Sequence, residues 1–296
     1  MRQFAEPSRP LAPAASATAV ATAVAAAAAL LAGCGSTGAS TPGTRNRAEC
    51  AAKPSELTQG GVRVTVDPVC GDYQVTNQGG EPADVTVTFN RPALIGGGLE
   101  PVPRTETALA PGATARGRID PADPRASPRP GTAHQVKIVR VRSVPTTEAP
   151  QPGGPCPPSG VRLYADEGDA AMGLRVLGLN LRNCGTSPVS LDGYPTLQLL
   201  DHERRPIDGV RLLSGGAEIA TGTGADAPPQ KLTLRPGEGA HSTLVWRNTT
   251  EAGAAVNAPY VRVRATPNAA PVTVTPELDL GTTGRLGIGA WVKDQT

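Results

Sequence analysis

Apolar and polar residues alternate in short runs along most of the chain. Val62-Arg-Val-Thr-Val66 and Val85-Thr-Val-Thr-Phe89 show the period of two cleanly. Successive side chains on a strand point to opposite faces, so such a run buries one face and wets the other. The same pattern predicts strands at 161–165, 174–181, 197–200, 232–234, 242–246, 261–265 and 272–275. Turn chemistry separates them: Asn-x-Gly at 77–79 and 183–185 suits positive φ, and Pro-Gly at 111–112 and 236–237 suits tight turns. No sustained helical stripe occurs outside residues 11–31. The pattern predicts an all-β chain carrying two tandem immunoglobulin-like β-sandwich domains.

The strands fall into two related sets. At a shift of 106 residues Cys50 meets Cys156, and Tyr73-Gln-Val-Thr-Asn77-Gln-Gly79 meets Leu179-Asn-Leu-Arg-Asn183-Cys-Gly185. Leu109-Ala-Pro-Gly112 meets Leu234-Arg-Pro-Gly237 at a shift of 125, so the second copy is 19 residues longer in its middle. Val136–Pro145 matches Tyr260–Pro267 last. Order kept across three blocks argues for two copies of one fold. Thr146–Pro155, TTEAPQPGGP, reads as a Pro/Gly linker. The expected domains are therefore 50–145 and 156–296, joined by 146–155. The Gly/Ala/Thr-rich insert 209–230 is either a binding loop on the sandwich or a loose crossover.

The N-terminus is patterned differently. Arg2 and Arg9 precede an Ala/Val/Leu stretch from about Leu11 to Leu31, which ends in Leu31-Ala-Gly-Cys34. This is the three-part layout of a secretory signal. Its end resembles the bacterial lipobox, in which the cysteine thiol takes a diacylglyceryl group and the leader is cut just before it. Residues 1–33 are then a signal peptide, Cys34 the lipidation site, and 34–49 a flexible tether. The other reading is an uncleaved span, since about 20 apolar residues cross a bilayer. The weakly apolar alanines and the terminal cysteine favour lipidation. The chain is then expected outside the cytoplasm, lipid-anchored to the outer face of the cell membrane. Its partners would be that membrane and a cell-wall or envelope protein.

Hydrophobic residues make up 39% of the chain, enough to bury a core, but aromatics only 3%, so that core must be mostly Val, Leu and Ala. The formal charge is +2 with no Lys/Arg block. Nucleic-acid binding needs a basic patch and usually stacking aromatics, so that class is set aside.

Export implies an oxidising compartment and structural disulfides among Cys50, Cys70, Cys156 and Cys184. A hairpin folded about residue 170 brings Cys156 opposite Cys184; Cys50–Cys70 follows by elimination. No Cys-x-x-Cys or Cys/His spacing suggests a metal or redox site. His134, His202 and His241 have no Gly-x-Ser-x-Gly elbow beside them, and His202 lies in a polar turn, Asp201–Pro206. No catalytic residue, metal ligand or cofactor is expected. Gly96-Gly-Gly98 lacks the Lys-Ser/Thr of a phosphate loop. Tyr194 and Trp246 are either core anchors or a sugar-stacking platform.

The second set of blocks carries a family pattern: Leu179-Asn-Leu-Arg-Asn183, Leu191-Asp-Gly-Tyr194-Pro195, Leu234-Arg-Pro-Gly237, Leu244-Val-Trp246 and Val261-Arg-Val-Arg-Ala-Thr-Pro267. In these motifs residues 156–280 resemble domain of unknown function 4232 of actinobacterial secreted lipoproteins. Such domains often carry a cysteine just before Gly-Tyr-Pro; here it stands earlier, at Cys184. The resemblance implies a fold and a location but no activity. The expected function is a non-catalytic interaction or structural module of the envelope. The alternative is a small-molecule- or metal-binding lipoprotein serving envelope transport, with a concave pocket beside Tyr194 or the 209–230 segment.

Overall fold

The computed structural model describes residues 53–93, 98–120 and 135–295. Seven strands precede residue 146: β1 (Ser55–Gln59), β2 (Val62–Val66), β3 (Asp72–Asn77), β4 (Ala83–Pro92), β5 (Leu99–Leu109), β6 (Thr114–Arg118) and β7 (Lys137–Pro145). They form two antiparallel sheets, β1-β2-β3-β6 and β5-β4-β7. The alternation read in the sequence turns Val62, Val64, Val75, Val85, Val87 and Phe89 into one core shared by both sheets. Each such side chain, fully buried, contributes roughly 1.5–3 kcal/mol. Tyr73 packs on Phe89 with ring centroids 5.0 Å apart. It also lies over Gly117, its partner across β3 and β6; a Cβ there would stand 2.4 Å from the ring, so the position requires glycine.

Fourteen strands follow. They are β8 (Val161–Ala165), β9 (Asp169–Ala171), β10 (Leu174–Asn183), β11 (Val189–Asp192), β12 (Thr196–Leu200), β13 (Arg211–Ser214) and β14 (Lys231–Leu234). The rest are β15 (Gly239–Arg247), β16 (Val256–Ala258), β17 (Tyr260–Arg264), β18 (Val272–Val274), β19 (Leu278–Gly281), β20 (Arg285–Ile288) and β21 (Val292–Lys293). The large sheet runs β13-β20-β15-β10-β8, with β9 on β10 and β21 on β15. Opposite it stand β12-β17-β18 and the pairs β11-β14 and β16-β19. Their apolar faces share a second core of Leu179, Leu181, Leu244, Leu280, Trp246 and Trp291, among others. The chain is thus all-β, sheet packed on sheet. Among the described residues a single 3-10 turn, Thr146–Glu148, is the one helical element.

One expectation needs correction, and one alternative left open falls away. The hairpin between β8 and β10 is not centred on residue 170. β9 continues the ladder, Ala171 pairs with Leu174, and the chain reverses at Met172-Gly173. The Asp166 carboxylate absorbs the extra residues by accepting the N–H groups of Gly168 and Gly178, both at 2.9 Å. The insert 209–230 is not a loose crossover either. Its β13 adds to the large sheet, in parallel with β20. Ala225 then tucks back, fully buried, and Gly216 N–H donates to Asp226 at 3.0 Å.

The stretch after β7 also differs from a free linker. Val144, Leu200 and Tyr260 form a small third core with Ala149 against it, and this cluster joins the two sets of strands. Around it the Tyr260 hydroxyl accepts the N–H of Ser143 at 3.1 Å. Buried Arg142 pairs with Glu277 and stacks on the Tyr260 ring, 5.6 Å from its centre. Gln59 bonds His202 at 2.7 Å, and Arg204 stands 3.8 Å from Glu81. The buried part of this network, Arg142 with Tyr260 and the Ser143 N–H, fixes the orientation of the two cores more firmly than its exposed Arg204–Glu81 pair does.

Candidate functional site

Glu148 decides what the linker does. Its carboxylate accepts Arg262 Nε at 2.9 Å and Thr273 Oγ1 at 2.7 Å, which pins the 3-10 turn to β17 and β18. Beneath the pinned linker lies a cleft of about 520 Å³. It opens here because two sheets end here: β8 is the last strand of the large sheet and β18 the last of its three-stranded partner. The lining of Val161, Leu163, Val189, Leu191 and Val272 belongs to the second core or packs against it, so the cleft reaches the apolar interior. Its size is that of small-molecule sites, about 300–1,000 Å³.

Thr146, Thr147, Gln151, Ser159, Ser190 and Thr266 also line this cleft, and Arg162 is the charged residue of its lining. One of its Nη groups donates to the carbonyl of Gly154. Its Nε is buried and has no hydrogen-bond partner. A guanidinium N–H withdrawn from water without an acceptor is costly, and this one is closed off from the cleft as well as from water.

A second cleft, about 440 Å³, lies beside Trp246 and is lined by Glu167, Asp169, Glu277 and Asp279 with Arg175. Its central carboxylate is already committed. Asp279 accepts Trp246 Nε1 at 2.9 Å, Asn248 Nδ2 at 2.9 Å and Arg175 at 3.2 Å. Trp246 is buried and offers no face for a sugar to stack on; it is the core anchor the sequence allowed. Tyr194 is half-buried and lines neither cleft.

Cys156 and Cys184 form a disulfide, Cα atoms 5.7 Å apart, which closes the open end of the β8–β10 hairpin. Cys70 is disulfide-bonded as well. Cys34, Cys50, His134, Gly96 and the whole leader and tether lie outside the described residues. Of the other histidines, His202 bonds Gln59 and half-exposed His241 bonds Asp294 at 2.8 Å. Among the described residues no group of three His, Cys, Asp or Glu is arranged to hold a metal. No helix there is long and apolar enough to cross a membrane. Arg162, the residue that singles out the linker cleft, was not among the sequence candidates. On strand β8 it reads as an ordinary outward position, and nothing in the run Val161-Arg-Leu-Tyr-Ala165 signals that the linker folds over it.

An all-β domain with a disulfide-closed hairpin is a broad class, and one comparison narrows it. Residues 156–292 match the family model of a domain of unknown function, DUF4232. The match covers the stretch that carries the motifs quoted above and extends to the end of the second core, including buried Trp291. No curated protein and no solved structure matches the chain.

Proposed function

We propose that the chain is a lipid-anchored module of the cell envelope, held to the outer face of the membrane through Cys34, that works by contact rather than by catalysis. The observation that carries this reading is the joint. Tyr260, Arg142 and Glu277 lock two sandwich cores into one orientation. Such a joint serves to hold surfaces at a set angle for a cell-wall or protein partner, and no chemistry depends on it. Two acyl chains give stable anchoring where one is marginal. The test compares wild type with Cys34→Ala in an exporting host. The wild type is expected in the membrane fraction beginning at Cys34, and the variant is expected to lose that lipid-dependent attachment. If the variant stays equally membrane-bound with residues 1–33 still present, the span reading replaces the lipid one.

A second reading is supported by the linker cleft: a binding lipoprotein serving envelope transport, whose ligand is a small molecule. Calorimetric titration with zinc or copper checks its metal-binding form. Stoichiometric binding that is lost when His134, His202 and His241 are all replaced by Ala would put a metal in place of the small molecule.

A further inference from the structure

We infer that the first sandwich rests on the anchoring membrane with the end at which the chain enters β1, and that Val69 and Leu99 dip into the lipid–water interface there. The inference rests on the lipid-anchor reading and gives that anchor a second contact, made by the folded domain itself.

Both sheets of the sandwich meet at this end. β1 begins where β2 stops, with Ser55 opposite Val66, and β3 begins where β6 stops, with Asp72 opposite Arg118. In the other sheet β5 begins where β4 stops, with Leu99 opposite Pro92, and β7 begins opposite Asn90. Val136 N–H donates to Pro68 O at 2.8 Å and Arg91 donates to Asp120 O at 3.1 Å, so the two sheets are tied together here. Lys53 and Pro54, which lead into β1, stand at the same end as Val69 and Leu99. The opposite end meets the second sandwich through Gln59, Glu81 and Val144.

Three observations single out the entry end. First, the exposed large apolar residues of the first sandwich are Val69, Leu99 and Val139, and all three gather here. Val139 is the unpaired residue of a bulge near the start of β7. Single exposed apolar residues are ordinary on a surface, but a group of them at one end marks a contact. Second, Val69 is held out rigidly. Asp67 Oδ1 accepts the N–H groups of Val69 at 2.8 Å and Cys70 at 2.7 Å, and Gly71 N–H donates to Asp67 O at 2.8 Å. Cys70 is buried and disulfide-bonded. A turn tip usually carries a polar residue; this one presents valine, already ordered, so little entropy is lost when it enters lipid. Third, most of the charge at this end is already used. Arg91 pairs with Glu100 and Arg118 with Asp72, and Asp67 caps its own turn. Exposed Lys53 and Lys137 make no ion pair with the described residues. Their stems can lie along apolar side chains while the ammonium groups meet lipid phosphates.

The position of the lipid selects a membrane as the occupant. A chain the length of residues 35–52 reaches about 60 Å at most. Lipid on Cys34 therefore keeps this end close to the bilayer. A contact too weak to recruit a free protein suffices for a domain already held beside the surface.

The test maps the lipid-facing surface of the unaltered protein. The full chain is purified from membranes of an exporting host and reconstituted into vesicles of phosphatidylcholine and phosphatidylglycerol. A fraction of the phosphatidylcholine carries a diazirine near the top of an acyl chain. After irradiation the labelled peptides are mapped. Label is expected on the peptides carrying Val69, Leu99 and 137–139, about tenfold above that carrying Gln78 at the far end of β3. Val69→Ser combined with Leu99→Ser should cut this label about tenfold while the chain stays on the vesicles. Both positions are exposed, so the fold should tolerate the change, and circular dichroism checks it. If the double variant does not accumulate, each single variant carries the test, with a smaller loss expected. Label spread evenly, concentrated on another face, or unchanged in the variants overturns the inference, and a chain that begins at Cys34 and floats with the vesicles leaves the lipid anchor standing. A chain that keeps residues 1–33, or does not float with the vesicles, sinks the anchor reading and this inference with it.

Discussion

Asn77 and Asn183 make the same set of hydrogen bonds 106 residues apart. Each is buried at the end of a strand. Nδ2 of Asn77 donates to the carbonyls of Glu81 and Leu109, and its Oδ1 accepts Gly79 N–H. Nδ2 of Asn183 donates to Ser187 and Leu234, and its Oδ1 accepts Gly185 N–H. The Pro-Gly turn returns a bond in both copies, from Gly112 N–H to Asn77 O and from Gly237 N–H to Asn183 O. One amide thus ties its own turn to the strand end before the Pro-Gly turn. This gives the two shifts in the repeat, 106 for the Asn block and 125 for the Pro-Gly block, a common physical cause.

Asn77→Ala and Asn183→Ala should each destabilise the chain by at least about 2 kcal/mol, because each leaves two carbonyls and an N–H without a partner. Exposed Gln78→Ala, one residue along, should stay within about 0.5 kcal/mol. Urea unfolding measures all three. Equal midpoints for Asn77→Ala and Gln78→Ala would remove the structural role claimed for the repeat.

How much of this was legible depended on length and on context. β2, β4 and β10 alternate over five to ten residues, and their faces follow from the period alone; β15 does not, since Ser242 to Trp246 are buried in succession. β13, β16, β19 and β20 have three or four residues each, too few to show a period, and Gly281 and Gly287 interrupt the last two. β5 hides behind Pro101 and Pro103, which an edge strand tolerates and a central one does not. Arg142 reads as the outward residue of Val-Arg-Val-Arg-Ser. It becomes buried only because Glu277 and Tyr260 arrive from more than a hundred residues away. The cleft was illegible for the same reason: four separated segments build it, and no spacing within one of them encodes the others.

The joint can be tested by a double-mutant cycle. Glu277 adopts a positive φ of 56°, unusual for a residue with a Cβ, and its carboxylate meets Arg142. Arg142→Met and Glu277→Gln should each destabilise, and the pair should show a coupling on the order of 1–3 kcal/mol, reduced from a fully buried pair because Glu277 retains some exposure. Hydrogen exchange at Ser143, whose N–H bonds Tyr260, should quicken in either variant. Additive effects with unchanged exchange would mean that the apolar cluster alone holds the joint.

The Cys156–Cys184 link closes a loop with a sequence separation of 28. In the chain-entropy model its loss costs about 3–4 kcal/mol. Cys156→Ala with Cys184→Ala should lower the thermal midpoint while Trp246 and Trp291 remain buried, which tryptophan fluorescence reports. A red-shifted spectrum in the native baseline would show instead that the link is needed to form the second core.

The hairpin after β12 should weaken in acid, and the cause is Asp201. Its Oδ1 accepts the N–H groups of Glu203 at 2.9 Å and Arg205 at 2.8 Å, and its Oδ2 accepts Arg205 Nε at 2.9 Å. Desolvation pushes this carboxyl up, but the bonds from Arg205 and Glu203 outweigh it, so its pKa falls below the ordinary 3.8. A folded-state pKa below the unfolded one gives stability that is fully present above the unfolded value. That stability is lost as pH falls through the folded value, so the window lies below about pH 4. The same turn carries His202 and Arg204 to Gln59 and Glu81, so loosening it also slackens one side of the joint. Asp201→Asn keeps an oxygen for the two N–H groups and drops the charge. It should be less stable than wild type at pH 6, and the gap should hold down to about pH 4 and narrow from there toward pH 2.5. A gap that is constant across that range would place the stabilisation in the neutral hydrogen bonds and not in the charge.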